Sequence, residues 1–568
     1  MSWWTSWRAI ISLLAVAATS AGCAGVPAAP GGQVSTAPRQ AERKALVIAE
    51  GREVDSMLSF GNTDNEATEM AHAGLVVRNA VTFQEEPWLA EERPSIEKGT
   101  WRVNPDGTMV TTYRLRPNIL WHDGTSLSPQ DFVFGREANL DTRLPYRNRR
   151  QVSLMDRIDT PDERTLVITW NTTFPLADRL FRSELTPLPR HILEPLYRSG
   201  DLDRFVTSPY WNREFVGTGP YRVVDFQPGA LIEFEAFEQY FLGRPKIDRV
   251  SLRIISDSNI MLTNVLTNEV HLTLRSALTF EGGLVAKDQW EAQGSGRVLF
   301  TPTNWSWVNL SGLNPWFDDV RVRRAMLHAI DREEIVRTLF RGEEAVVHVP
   351  FSPRRPQFAR ADAAVVKYEY NPQRAQALLA EVGWTRGPDG VLLNSQGERF
   401  SFEARTTAGR REEEQVQQAT IGYWTAVGAE LQINNLPDRV LSGEEFRNRW
   451  PGAYWGSHNI VIEDWADRFH TSNIPGPENR WSRINVSRWA NPQKDAIVDE
   501  MNATLDRARW DDLVVQFARV FTEDLPHLPM KYSSEVMTVA KGLQGIGPRI
   551  ESGGENARTW NVHLWEWQ

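Results

Sequence analysis

Two hydrophobic periods alternate along the chain, and between them they predict its elements. Ala45-Leu46-Val47-Ile48-Ala49 is a short apolar run of the buried-strand kind. Met109 to Leu115 alternates toward a strand, after the turn signal Asn104-Pro105-Asp106-Gly107, and Thr165 to Thr169 predicts another. Ser128-Pro129-Gln130-Asp131 joins an N-cap serine, a proline at the first helical position and a carboxylate at the third, so a helix opens at Phe132. Tyr221 to Ala236 reads as two strands joined at Pro228-Gly229, placed as a type II turn requires. Asp319 caps a helix through Ile330. Asp331 caps the next, with Glu334 at its third position and Gly342 past its end. Asn371-Pro372 opens a helix that stops at Gly383, and Arg411 to Ala426 and Asn491 to Glu523 are the other long helical patterns. Pro526 and Pro529 end the last of these before a strand around Val536 to Val539. Strands and helices mixed in this way make an α/β chain, and no fixed-period repeat appears.

The first 43 residues follow a different logic. Arg8 precedes a short apolar stretch, Ala9 to Ala18, and small residues follow at Ser20-Ala21-Gly22. Ten or so apolar residues cannot span a hydrocarbon core of about 30 Å, so residues 1–22 read as a signal peptide. Cys23, directly after the small residues, resembles the acylated cysteine of the bacterial lipoprotein signal. Residues 23–43, rich in Ala, Gly, Pro, Ser and Gln, read as a flexible tether. No later stretch approaches 18 consecutive apolar residues. The folded body is therefore expected outside the cytoplasm, in the periplasm or on the outer face of the cytoplasmic membrane, held by a lipid on Cys23.

Composition narrows the function. At 568 residues the chain has room for roughly three to four domains of about 150 residues. A net charge of −10 argues against a protein that binds nucleic acid by neutralising phosphates. One cysteine excludes an intramolecular disulfide framework and every cysteine-cluster metal site. The closest pair among ten histidines, His458 and His470, is 12 residues apart, and no metal, phosphate or dinucleotide motif is present, so neither metal nor cofactor is expected. His122-Asp123 is not a catalytic pair, because adjacent residues on an extended chain point to opposite faces. Glu412-Glu413-Glu414 reads as a solvated helix start. Trp outnumbers Tyr by 23 to 11, which suits large cores or apolar walls in a binding site.

Several of the punctuated stretches, in order, resemble one family. They are Tyr113-Arg114-Leu115-Arg116-Pro117 with Trp121-His122-Asp123-Gly124-Thr125 and Asp131-Phe132-Val133-Phe134; Gly217-Thr218-Gly219-Pro220-Tyr221; and Tyr240-Phe241-Leu242-Gly243-Arg244-Pro245. Asp319-Val320-Arg321-Val322-Arg323 with Ala329-Ile330-Asp331-Arg332, and Tyr370-Asn371-Pro372 with Val382-Gly383-Trp384, complete the set. The chain thereby resembles the extracellular solute-binding proteins of family 5, receptors of bacterial ABC importers for dipeptides, oligopeptides and nickel. The resemblance implies a two-lobed α/β clamshell of the class II periplasmic-binding-protein kind, with three domains and a discontinuous first lobe. Lobe I would comprise 44–62, 181–303 and 530–568, the inserted small domain 63–180 and lobe II 304–529, with crossovers near Phe300–Leu310 and Pro526–Lys531.

The same resemblance implies a non-catalytic monomer that captures a peptide-like solute between the lobes and hands it to a membrane permease. In peptide-binding relatives an aspartate of a Trp-Asp loop pairs with the peptide's amino terminus. The corresponding stretch here, from Tyr454-Trp455 to Glu463-Asp464-Trp465-Ala466-Asp467, offers Asp464 and Asp467. Trp305 and Trp307 share strand parity, so both point to one side, as core residues or as a wall of the cleft. An oligosaccharide ligand is the alternative within the family; a secreted hydrolase with paired carboxylates is the alternative from another class.

Overall fold

The computed structural model describes residues 44–58, 66–146, 149–274, 276–441, 443, 448–547 and 558–568. Cys23 lies outside the described residues. The body from Lys44 onward is one compact unit built on a ten-stranded mixed sheet. Across it the strands run Glu430–Ile433, Ser401–Arg405, Ala453–Asn459, Gly296–Leu310, Leu528–Ala540, Leu272–Thr273, Ala45–Glu50, Arg249–Ile254, Leu231–Ala236 and Tyr221–Gln227.

The two longest strands, Gly296–Leu310 and Leu528–Ala540, lie antiparallel at the centre and tie the two ends of the sheet together. The C-terminal half of the first also pairs with Ala453–Asn459, from Asn304 opposite Asn459 to Leu310 opposite Ala453. Their mutual register shifts between Pro302 and Asn304 and again between Trp305 and Trp307. Such shifts bend and twist a ladder locally. Proline at 302 donates nothing to that ladder, which suits the break.

Local rules account for most elements. Leu231–Ala236 and Thr165–Trp170 alternate buried and half-buried positions with period two. Gly229 sits at φ +67°, and the Ala230 amide donates to the Gln227 carbonyl at 3.0 Å, closing the type II turn at Pro228-Gly229. The Ser128 amide donates to Asp131 Oδ2 at 2.8 Å, which anchors the start of helix Pro129–Leu140. Ser401–Arg405, helix Arg411–Ala426 and Glu430–Ile433 form a βαβ unit, its two strands parallel. A separate antiparallel sheet, Trp101–Val103, Met109–Arg114, Thr165–Trp170 and Met155–Asp159, carries its own core around Tyr113 and Trp170.

Two elements differ from the periodicity. The pattern Asn491 to Glu523 is not one helix but two, Pro492–Ala503 and Arg507–Asp524. The Asp506 carboxylate accepts the amides of Ala508 and Arg509 at 2.9 and 3.1 Å, an N-cap that outcompetes continuation. The strand expected around Val536 to Val539 runs the full 13 residues from Leu528 to Ala540. Pro529 stands at its beginning, where a missing amide costs one ladder bond only.

Candidate functional site

A cavity of about 820 Å³ opens where the register of the two long strands breaks. One wall comes from Leu278, Phe280 and Glu281, at the start of helix Phe280–Ala286. The opposite wall is the N-terminal turn of helix Arg411–Ala426, with Glu412 and Glu413. Trp307, Trp455, Lys531 and the segment Ser533 to Val536 supply the floor. Segments from both sides of the central strand pair therefore border the same space, and its size falls in the ordinary range for sites that enclose a small ligand.

The floor carries a buried charge cluster. Lys531 Nζ lies 2.5 Å from Glu344 Oε2 and 2.5 Å from Glu412 Oε1, and 4.0 Å from the Phe340 ring centroid. It also donates to Ser533 Oγ at 3.2 Å, while Glu344 Oε1 accepts the Ser534 amide at 2.7 Å. Lys531 and Glu344 are buried; Glu412 is one-third exposed, toward the cavity it lines. Burial works against the ammonium, but the two carboxylates outweigh it and hold Lys531 above its ordinary value. Burial also pushes the Glu344 carboxyl up; Lys531 pulls against that shift and Glu412 adds to it.

Further charge pairs stand on the cavity wall. Glu413 receives the Thr406 hydroxyl at 2.9 Å and Arg410 at 3.2 Å, and burial lifts its carboxyl. Arg411 faces Glu281 at 4.0 Å, joining the two walls through a solvent-exposed pair. The reading of Glu412-Glu413-Glu414 as a solvated helix start is corrected here: the turn faces the cavity, and Lys531, 119 residues away, takes up Glu412.

The tryptophans divide between core and wall. Trp307 lines the cavity and stacks on His527 at 4.2 Å and 25°. Trp305 is fully buried against Phe521 and His527 and does not line the cavity. Trp455 does both, lining the cavity while its ring lies 5.4 Å from Trp424 in the core. His527 is itself buried, and burial with the nearby Arg468 charge lowers it to about 3, so the ring is a neutral platform for Trp307.

Asp464, Trp465 and Asp467 stand on helix Ile462–Arg468. The side chains of Asp464 and Trp465 lie outside the described part of the structure. Asp467 is not among the cavity-lining residues; its carboxylate accepts Asn502 Nδ2 at 3.4 Å. The first carboxylate of that helix is instead drawn into a buried network. Glu463 pairs with Arg355 at 2.7 Å and Arg179 at 3.6 Å, and Arg179 and Arg78 each reach Glu85 at 3.1 Å. The network joins the hairpin Val76–Arg78/Glu85–Pro87 to helix Ile462–Arg468. Burial would raise the Glu85 carboxyl, but Arg179, Arg78 and Arg93 hold it down to about 2.

Sequence reasoning missed Glu344, Lys531 and Glu463. Nothing local marks them, because their charged partners lie 108 to 284 residues away along the chain. No group of three or more His, Cys, Asp or Glu among the described residues is arranged to hold a metal ion, and no described helix is long and apolar enough to cross a membrane.

This architecture is shared with solved structures. The oligopeptide-binding protein of Thermus thermophilus in complex with a pentapeptide superposes with a TM-score of 0.68 at 24% identity, over 92% of this chain and 96% of that one. NikZ of Campylobacter jejuni in complex with Ni(L-His) gives 0.70 at 20% identity, over 93% and 100%. These likenesses establish a two-lobed binding-protein fold. The oligopeptide-binding protein AppA of Bacillus subtilis is 22% identical over 442 residues, 78% of each chain. Residues 84–474 match the family of bacterial extracellular solute-binding proteins, family 5, and the chain belongs to that family. Its members bind solutes and are not enzymes, which sets aside the hydrolase alternative.

Proposed function

We propose that this protein is the solute-capturing receptor of an ABC importer, held outside the cytoplasm by a lipid on Cys23, and that its solute is peptide-like. One observation carries the reading: a cavity of about 820 Å³ walled from both sides of the sheet's central strand pair, where those two strands change register. The relatives named for oligopeptides support it. A ligand touching both walls makes contacts that an open form lacks, so binding drives closure, and a permease that reads the closed form receives loaded receptor. The division into lobe I (44–62, 181–303, 530–568), inserted domain (63–180) and lobe II (304–529), acting as a monomer, belongs to the same proposal.

Asp464 is the proposed partner of the peptide's ammonium. Native mass spectrometry of purified protein identifies the retained solute, and titration with that solute and its N-acetylated form then tests the ammonium contact. Wild type should discriminate strongly against acetylation. Asp464→Asn should lose roughly 2–5 kcal/mol of binding and the discrimination with it. Equal affinity of wild type for both forms overturns the peptide-amine assignment. Trp307 and Trp455 on the cavity wall favour one second reading, an oligosaccharide whose rings stack on indoles, and the same mass spectrum decides between them.

A further inference from the structure

A second chamber of about 200 Å³ opens off the main cavity, sharing Trp307, Arg410, Gly456 and Ser457 with it. Its floor follows from strand parity. Trp307 and Asn309 project from one strand, with Ser311 just past its end, and Tyr454 and His458 from its neighbour, with Trp307 opposite Gly456 and Asn309 opposite Tyr454. The reverse face of the same strands, Val308, Leu310 and Trp455, packs into the core. A polar sheet face is ordinarily left to water. Here Leu441, Asn448 and Trp450 roof it over.

Around the enclosed face Trp307 Nε1, Asn309 Oδ1 and Asn448 Oδ1 are without a hydrogen-bond partner among the described residues. The three residues are only 4%, 6% and 5% exposed. Asn448 cannot turn its amide round, because its Nδ2 already donates to the carbonyls of Trp481 at 2.7 Å and Arg483 at 3.3 Å. Buried polar atoms left unmatched destabilise a fold, and these three border a chamber that can admit a ligand group to meet them.

Together these three atoms present two acceptors and one donor, between aromatic walls. A carboxylate brings no donor for the asparagine oxygens. A guanidinium or ammonium brings donors, but Arg405, Arg410 and Arg468 border the chamber. Glu403 pairs with Arg405 at 2.9 Å and Glu413 with Arg410 at 3.2 Å, and Arg468 is not free either, so those charges do not call for a ligand anion. A neutral primary carboxamide supplies two N–H donors and one carbonyl acceptor in one plane. The volume, room for about seven waters, suits one side chain.

Resting on the peptide reading, we propose that this chamber is a specificity subsite for a glutamine- or asparagine-type carboxamide side chain of the captured peptide, with Asn309, Asn448 and Trp307 as its hydrogen-bonding residues. The test is calorimetric titration of the full chain with trialanine and its positional variants carrying Gln, Glu, Lys or Leu at each site in turn. At one position Gln should bind at least about tenfold more tightly than Glu, Lys and Leu, because the other three leave buried groups unmatched. In Asn309→Leu that preference should shrink to less than about threefold. Trp307→Phe, which keeps a ring and loses the N–H, should weaken it too and serves if the first variant does not fold. Tripeptide binding with no Gln preference at any position, or with Glu or Lys preferred, overturns the subsite and leaves the peptide reading standing. Failure of every tripeptide to bind, alongside a retained non-peptide solute in the mass spectrum, overturns both.

Discussion

At the scale of single residues, the informative groups are charged and out of water. Lys531 is held between Glu344 and Glu412 on the cavity floor, and replacing it with Met strands the Glu344 carboxylate in the interior. Lys531→Met should cost about 3–5 kcal/mol of stability at neutral pH, measured by urea unfolding, as for any buried pair stripped of one partner. The loss should be smaller in acid, where the already raised Glu344 takes up a proton. Glu85 has the opposite sign. Its carboxyl is depressed from 4.5 to about 2, so its stabilising pairing is complete above pH 4.5 and lost as pH falls toward 2. That linkage is worth roughly 3 kcal/mol. Glu85→Gln should therefore flatten the fall of unfolding free energy across this interval; an unchanged slope would show that Arg78 and Arg179 do not hold the carboxylate as the distances imply.

At the scale of elements, the site depends on how two neighbouring strands face each other. Gly456 stands opposite Trp307, and a Cβ built there would meet the indole at 2.8 Å and the Tyr454 ring at 3.0 Å. Glycine is thus what lets Trp307 lie over the strand with one face on His527 and remain a wall of both chambers. Gly456→Ala should lower stability by about 1–3 kcal/mol through overpacking and shift the tryptophan fluorescence as Trp307 is displaced. A silent substitution on both measures would mean the ring yields without cost.

At the scale of the whole molecule, the two long strands pair with each other at the centre of the ten-stranded sheet, and their register shifts sit beside the cavity. Small-angle scattering should show a smaller radius of gyration once the identified solute is bound, since closure brings both walls onto it. An unchanged radius would leave no role for hinge motion in capture. Attachment is tested apart from binding: Cys23→Ser should release the mature protein from the membrane fraction, and a variant that still sediments with membranes after a high-salt wash would remove the lipid anchor from the proposal.

Much of the fold was legible in the sequence because its signals are local. The Ser128-to-Asp131 cap, the turn at Pro228-Gly229 and the period-two strands Thr165–Trp170 and Leu231–Ala236 depend on neighbours a few residues apart, and each forms as those neighbours dictate. The motifs in register also pointed to the family. The single expected helix from Asn491 to Glu523 misled because both halves carry helical periodicity, while one aspartate cap decides the break. The site was far less legible. Glu412 looks like any carboxylate at a helix start until Lys531 arrives from 119 residues away, and Asn309 looks like a polar strand position until Asn448 and Trp450 roof it. Periodicity reports which face of an element is apolar, and that is a property of the element alone. Which polar group is sealed from water, and what it then requires of a partner, is set by contacts between distant segments, and only the tertiary structure decides it.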